Sequence, residues 1–241
     1  MRIMMTAIAA LSLTACEAVP AGGLGDVLGG LSSITGAQSG LSNLEIDAGL
    51  RQALEIGATN VASQLGATNG FFGDSRIQIP LPSRLASVQQ NLSKVGLSGP
   101  LDDLQLQMNR AAEAAMPEAR KLVVSAVQSI TLDDAVGILQ GGDSAATTFL
   151  RNKTESSLRD AFSPYIQTSL AETGAIQSLN SVASKYGLSA VASDLRSDMT
   201  DHAVNLGLDG MFLYVAEQER DIRENPVART TDLLKKVFGS N

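Results

Sequence analysis

The chain has 241 residues, 18 Lys and Arg against 25 Asp and Glu (net −7), one cysteine, one histidine and no tryptophan. One Cys excludes an internal disulfide, one Cys with one His excludes a structural zinc site, and the acidic balance excludes electrostatic binding of nucleic acid. Ala, Leu, Gly and Ser dominate over three Tyr and six Phe, which suits close-packed helices rather than a β-sandwich.

The chain opens Met1-Arg2, followed by an apolar run from Ile3 to Leu13 and then Thr14-Ala15-Cys16. A positive residue, a short apolar stretch and small residues before a cysteine form a secretory signal with a lipobox, Leu13-Thr14-Ala15-Cys16. The run is shorter than the 17–25 or so apolar residues a membrane span needs. Residues 1–15 are therefore expected to be removed and Cys16 to carry lipid. One acyl chain anchors only marginally, so two or more are expected. Residues 16–40 read as a flexible tether, with seven Gly between residues 17 and 40 and a reach of about 25–30 Å. Residues 41–241 are expected to form one all-α domain.

Helix signals run almost unbroken past Gly40. Ser42 and Glu45 make a capping box, and Ile46, Leu50, Leu54, Val61 and Leu65 recur at helical spacing up to Gly66. Next comes Asn69-Gly70-Phe71-Phe72 through Pro82, the longest irregular stretch after the tether. Within it Arg76-Ile77-Gln78-Ile79 alternates like a strand, but Pro80 and Pro82 mark an extended loop. The expected fold is a multi-helix bundle with this one Pro-containing extended loop. The Phe pair is expected to plug the core.

Leu85, Val88, Leu92 and Val95 form a stripe that Gly96 stops. Leu101, Leu104, Met108, Ala111 and Ala115 form another, which Pro117 is expected to break or kink. Thr131 should cap a helix over 132–139 that ends at Gly141-Gly142, and Asp143 or Ser144 should open the next. Ser163-Pro164 reads as a cap with proline in a first helical turn. Met199, Val204, Leu208, Met211, Val215 and Ile222 mark a long helix that Asn225-Pro226 stops. Thr231 should cap a last helix carrying Leu234, Val237 and Phe238.

Motifs for chemistry are sparse. His202 would have to serve any Ser-His-Asp triad, and no Gly-x-Ser-x-Gly elbow accompanies it. Asp194, Asp198 and Asp201 lack the glycine and terminal glutamate of a calcium loop. Gly141-Gly142-Asp143 puts a carboxylate where a phosphate would sit. No cofactor is expected. The remaining candidates form a dispersed polar set: Asn109, Arg110 and Glu113 within one helix; Asp143 and Arg151 around the next; Asp209 and Arg223 in the late helix, where Glu217, Glu219 and Arg220 also lie; then Arg229 and Asp232. Two acids with arginines are enough for a carboxylate-based hydrolytic site. Paired charges that lock helices together are the preferred reading.

These phrases also carry a resemblance. Asn109-Arg110-Ala111-Ala112-Glu113, Gly141-Gly142-Asp143-Ser144-Ala145-Ala146-Thr147, Asp209-Gly210-Met211-Phe212, Ile77-Gln78-Ile79-Pro80-Leu81-Pro82 and the run from Ile222 to Phe238 resemble exported bacterial proteins grouped as domain of unknown function 4197. The resemblance covers residues 41–238. It implies a signal or lipoprotein leader and brings no activity or site residues. In lipoproteins of two-membrane bacteria, Asp after the lipidated Cys is a retention signal. Glu17 stands there, which by resemblance places the protein in the inner leaflet of the outer membrane, facing the periplasm. The function expected is a membrane-tethered, non-catalytic binding or scaffold domain of the cell envelope, its partner an envelope protein or an apolar ligand. The alternatives are a hydrolytic enzyme of the kind above and a carrier of an apolar ligand between helices.

Overall fold

The inner stripe Leu101, Leu104, Met108, Ala111, Ala115 and Ala119 is buried along its whole length. It belongs to α3 (Gly99–Gln128), a 30-residue helix about 45 Å long. Pro100 sits in its first turn, where a missing N–H costs nothing. The computed structural model describes residues 43–172 and 195–225 and the single positions 177, 231, 232 and 235. Among these residues it has helices and no strand: α1 (Asn43–Leu65), α2 (Ser83–Ser93), α3, α4 (Leu132–Gln140), α5 (Ala145–Glu172) and α6 (Leu195–Glu224). The fold is all-α.

Cross-links fix the directions of the four long helices. Arg51 near the start of α1 meets the end of α3, whereas Gly66, just past α1, lies against Glu113 and Met116. The two helices are antiparallel. Ser169 bonds the Gln107 carbonyl, and Phe162 and Ala112 both face Gly207, so α5 runs against α3. Arg159 bonds Asn205 while Thr147 bonds Glu219, so α6 runs against α5. The result is an up-down-up-down bundle in which small residues bring α3 and α6 together. The short helices α2 and α4 pack on α3 and on α1 and α5.

A break at Pro117 and a helix start at Pro164 are corrected. α3 continues through Pro117 and α5 continues through Pro164. Each proline removes one intrahelical hydrogen bond. Both rings are exposed, while Met116 and Ala119, and Phe162 and Ile166, are buried on either side of them. Packing of the inner stripe outweighs a single lost bond. Ser163 therefore caps nothing; its hydroxyl donates to the Arg159 carbonyl one turn back (2.8 Å).

Other punctuation falls as read. Thr131 accepts from Asp134 N–H and the Asp134 carboxylate accepts from Thr131 N–H, a reciprocal cap on α4. Gly96, at φ +71°, closes α2; Val95 falls outside the helix and is exposed. α6 ends at Glu224, just before Asn225. Ser42 and the segment beyond Asn225, apart from positions 231, 232 and 235, lie outside the described residues.

The loop from Gly66 to Pro82 lies over the bundle. Phe71, Ile77, Ile79 and Leu81 are buried, and Phe72 is half-buried. Only one member of the Phe pair plugs the core. Gly210 makes this possible. A Cβ there would come within 3.0 Å of Ile77 and 3.1 Å of Phe71, tighter than packed side chains allow.

Candidate functional site

Asn109 is fully buried in α3 and faces the extended loop. Its Oδ1 accepts from Ile79 N–H (2.9 Å) and its Nδ2 donates to the Ile79 carbonyl (2.9 Å) and to the Gln105 carbonyl (2.8 Å). One side-chain amide thus does for Ile79 what a neighbouring strand would do. That explains an alternating segment without a sheet.

Glu113, one turn further, holds the start of the same loop. Oε1 accepts from the N–H groups of Phe71 (3.2 Å) and Phe72 (3.3 Å), and Oε2 accepts from Arg110 Nη1 (2.6 Å). Arg110 Nη2 donates to Asn69 Oδ1 (2.7 Å), and Asn69 has the left-handed φ of 68°. The motif that began as a candidate acid–arginine pair therefore fastens a turn.

The other candidates separate. Arg151 donates to Asp209 (2.9 Å) and lies over the Phe212 ring, 4.6 Å from its centroid; Asp209 is well exposed. Asp143 is exposed in the turn before α5 and does not cap it. That position is taken by Glu219 from α6, which sequence reading left among its neighbours and outside the candidate set. Oε1 of Glu219 accepts from Ala146 N–H (3.0 Å), and Oε2 accepts from Thr147 N–H (2.8 Å) and Thr147 Oγ1 (2.7 Å). Arg223 donates from Nε and Nη2 to Glu219 Oε1 (3.0 and 2.8 Å), and from Nη2 to the Ile138 carbonyl (2.9 Å). A carboxylate does sit at the helix N-terminus, where the helix dipole favours it. It comes from 73 residues away.

Asp232 is an exposed ion pair with Lys235 (3.3 Å). Arg229 and the lipidation candidate Cys16 lie outside the described residues. The nine candidates of the dispersed set do not form one site. Those described fall into separate joints, and every buried side-chain nitrogen or oxygen among the described residues has a partner.

Two further joints gave no signal in the sequence. Arg51 collects the last carbonyls of α3, those of Val127 (3.2 Å) and Gln128 (2.5 Å), and that of Ile130 just past it, while pairing with Asp47 (3.0 Å). A cation is favoured at a helix C-terminus. On the loop, Arg76 bonds Asp74 (2.7 Å), Glu217 (2.6 Å) and Tyr214 (2.7 Å), and Tyr214 donates to Asp74 (2.5 Å). The Arg76 guanidinium, then the Tyr214 hydroxyl, hold the Asp74 carboxyl well below the usual range. Burial, then the neighbouring Asp74 carboxylate, pushes the Tyr214 phenol up.

His202 Nε2 lies 2.8 Å from the Pro80 carbonyl, which can only accept. The ring thus carries its proton on Nε2 and secures the loop's far end; Asp198 and Asp201 stand in the first turns of α6. Among the described residues no three His, Cys, Asp or Glu side chains gather to hold a metal ion. No single described helix is long and apolar enough to cross a membrane.

Among the described residues, interior crevices where α1 and α6 meet α3 or α5 offer about 10–20 Å³, room for a water at most. A surface groove between α3 and α5 is far larger, about 420 Å³. Ala111, Ala114, Pro164 and Tyr165 form its apolar walls, and Gln107, Arg110, Thr168 and Ser169 add polar groups.

No curated protein and no solved structure matches the chain. Residues 40–239 match the family model described as "Protein of unknown function (DUF4197)". The match takes in all six helices and the loop that Asn109, Glu113 and His202 hold, and the chain belongs to that family.

Proposed function

We propose that this protein is a lipid-anchored, non-catalytic binding or scaffold domain of the bacterial cell envelope. Acyl chains on Cys16 hold it in the inner leaflet of the outer membrane, and residues 16–40 let the bundle stand off into the periplasm. The observation that carries the non-catalytic part is the use to which the motif charges are put. Arg110 and Glu113 fasten one turn, and Arg151 and Asp209 make a separate exposed pair. A carboxylate-based hydrolase needs its acid and base around one bond, and these pairs sit in separate joints, one between α3 and the loop and one between α5 and α6. Among the described residues the interior crevices of about 10–20 Å³ are too small for a lipid, which leaves a carrier only the surface groove between α3 and α5. The net charge of −7 gives no attraction to an anionic surface, so membrane affinity falls to the anchor.

Fractionation tests the anchor. The native chain is expected in the membrane pellet after a salt wash. Cys16→Ser removes the acylation site and is expected to yield soluble protein or an uncleaved precursor. A mature Cys16→Ser protein that stays in the washed pellet would overturn the lipoprotein reading.

A further inference from the structure

We infer that the groove between α3 and α5 binds a small amphiphile with one carboxylate head and an apolar tail. This deepens the binding reading by naming a ligand class. Its volume of about 420 Å³ falls among small-ligand clefts, about 300–1,000 Å³. Its walls are apolar: Ala111 and Ala114 on α3, Pro164 and the exposed Tyr165 ring on α5. Among the described residues lining it Arg110 is the one charged group, a cation on a chain whose net charge is −7.

Arg110 has donors to spare. A guanidinium carries five N–H groups, and the bonds to Glu113 and Asn69 are made by Nη1 and Nη2. Its side chain is 31 % exposed, whereas its partner Glu113 is 5 % exposed and is covered by two backbone N–H groups. A guanidinium held in place by a buried carboxylate keeps its position with N–H groups still unused, and charge-assisted donation to a carboxylate is what such groups do best. Pro164 and Tyr165 supply the surface on which an alkyl or ring body lies. Nothing in the groove is arranged to act on such a ligand chemically; it binds and holds.

The absence of tryptophan from the chain makes the test direct. Thr168→Trp, at an exposed position on the groove, places a lone fluorophore beside the ligand. Leu213→Trp, exposed on α6, places one outside it. Both are made in the full chain carrying Cys16→Ser, so that no detergent competes. The probes are ω-bromodecanoate and the neutral ω-bromodecanol, whose bromine quenches indole only at contact. The acid should quench Trp at 168 and not at 213, and should do so at least about tenfold more tightly than the alcohol, the usual effect of one charge-assisted hydrogen bond. Arg110→Gln, which keeps a donor for Glu113, should erase the preference for the acid. Should Arg110→Gln fail to fold, the acid–alcohol comparison in Thr168→Trp decides alone. No quenching at 168, equal quenching at 168 and 213, or equal affinity for acid and alcohol would overturn the proposal. Should Cys16→Ser stay in the pellet, the same acid–alcohol comparison is read on the detergent-extracted full chain, so a failed groove and a failed anchor are told apart.

Discussion

Glu113 and Glu219 are built into the bundle by the same means. Each is a nearly buried carboxylate that accepts two backbone N–H groups from a distant segment and pairs with an arginine on its own helix. They differ in the arginine. Arg223 is 16 % exposed and spends a further donor on the Ile138 carbonyl, tying α4 into the joint. Arg110 is about twice as exposed and opens onto the α3–α5 groove. The first joint closes completely around a helix N-terminus. The second fastens a loop and leaves a cation facing outward. The same pair of residue types therefore serves structure alone in one place, and structure with a binding surface in the other.

The sharpest way to break this comparison is to delete each carboxylate. Glu219→Ala strands Arg223 and leaves the first N–H groups of α5 without their acceptor, so a loss of about 3–5 kcal/mol is expected, the usual cost of breaking a buried pair. Glu113→Ala should cost less, about 2–3 kcal/mol, because Arg110 can turn toward water. Urea unfolding of both variants against the parent measures the difference. Equal losses would erase the distinction between closed and half-open joints. Losses near zero in both would instead point to strained groups in a functional site, against the non-catalytic reading.

Asn109 sharpens the comparison with an uncharged clamp on the same loop. Asn109→Ala removes both bonds to Ile79, whose N–H and C=O are buried. Stability should fall by about 1–3 kcal/mol, the penalty for stranding buried polar groups. Amide hydrogen exchange adds a second measure. Protection of Ile79 N–H should be lost while protection in α5 is kept. If both fall together, the loop and the bundle are one unit and the clamp is not local.

Much of this fold was legible because it obeys a single period. Leu101, Leu104, Met108 and Ala111 repeat at helical spacing and are buried, and Thr131 announces α4 as its cap. The prolines misled because a local rule was applied where long-range packing decides. Pro117 and Pro164 lie on exposed positions of helices whose opposite faces are fully buried. The polar set was read at the level of residue type and no further. Arg110 and Glu113 lie three residues apart, so their pairing follows from helix geometry. The backbone groups that Glu219 and Arg51 bond lie more than seventy residues away, and no spacing rule reaches that far. Asn109 was found as a motif member, but its task, replacing a strand for Ile79, exists only once the loop crosses α3.

The smallest expected effect lies in the third joint of the loop, where the arginine is exposed. Asp74 is held by Arg76 and Tyr214, and its folded pKa lies below the unfolded value of about 3.9. A depressed carboxylate contributes stability that is fully present above the unfolded pKa and is lost as pH falls through the folded one. The contribution should therefore be constant from neutral pH down to about pH 4 and decline below it. Its size should be under about 1 kcal/mol, because water screens an exposed pair. Asp74→Asn removes the titrating group while keeping a side chain that can bond Arg76 and Tyr214. The difference in urea stability between parent and variant, followed from pH 7 to pH 2 or so, isolates Asp74 from the other acids, since they titrate in both proteins. The expected difference is a plateau above about pH 4 that shrinks toward zero in stronger acid. A difference that grows as the pH falls would mean that the folded state binds the proton more tightly than the unfolded chain. Arg76 and Tyr214 would then not stabilise the carboxylate, and the loop would rest on Asn109, Glu113 and His202.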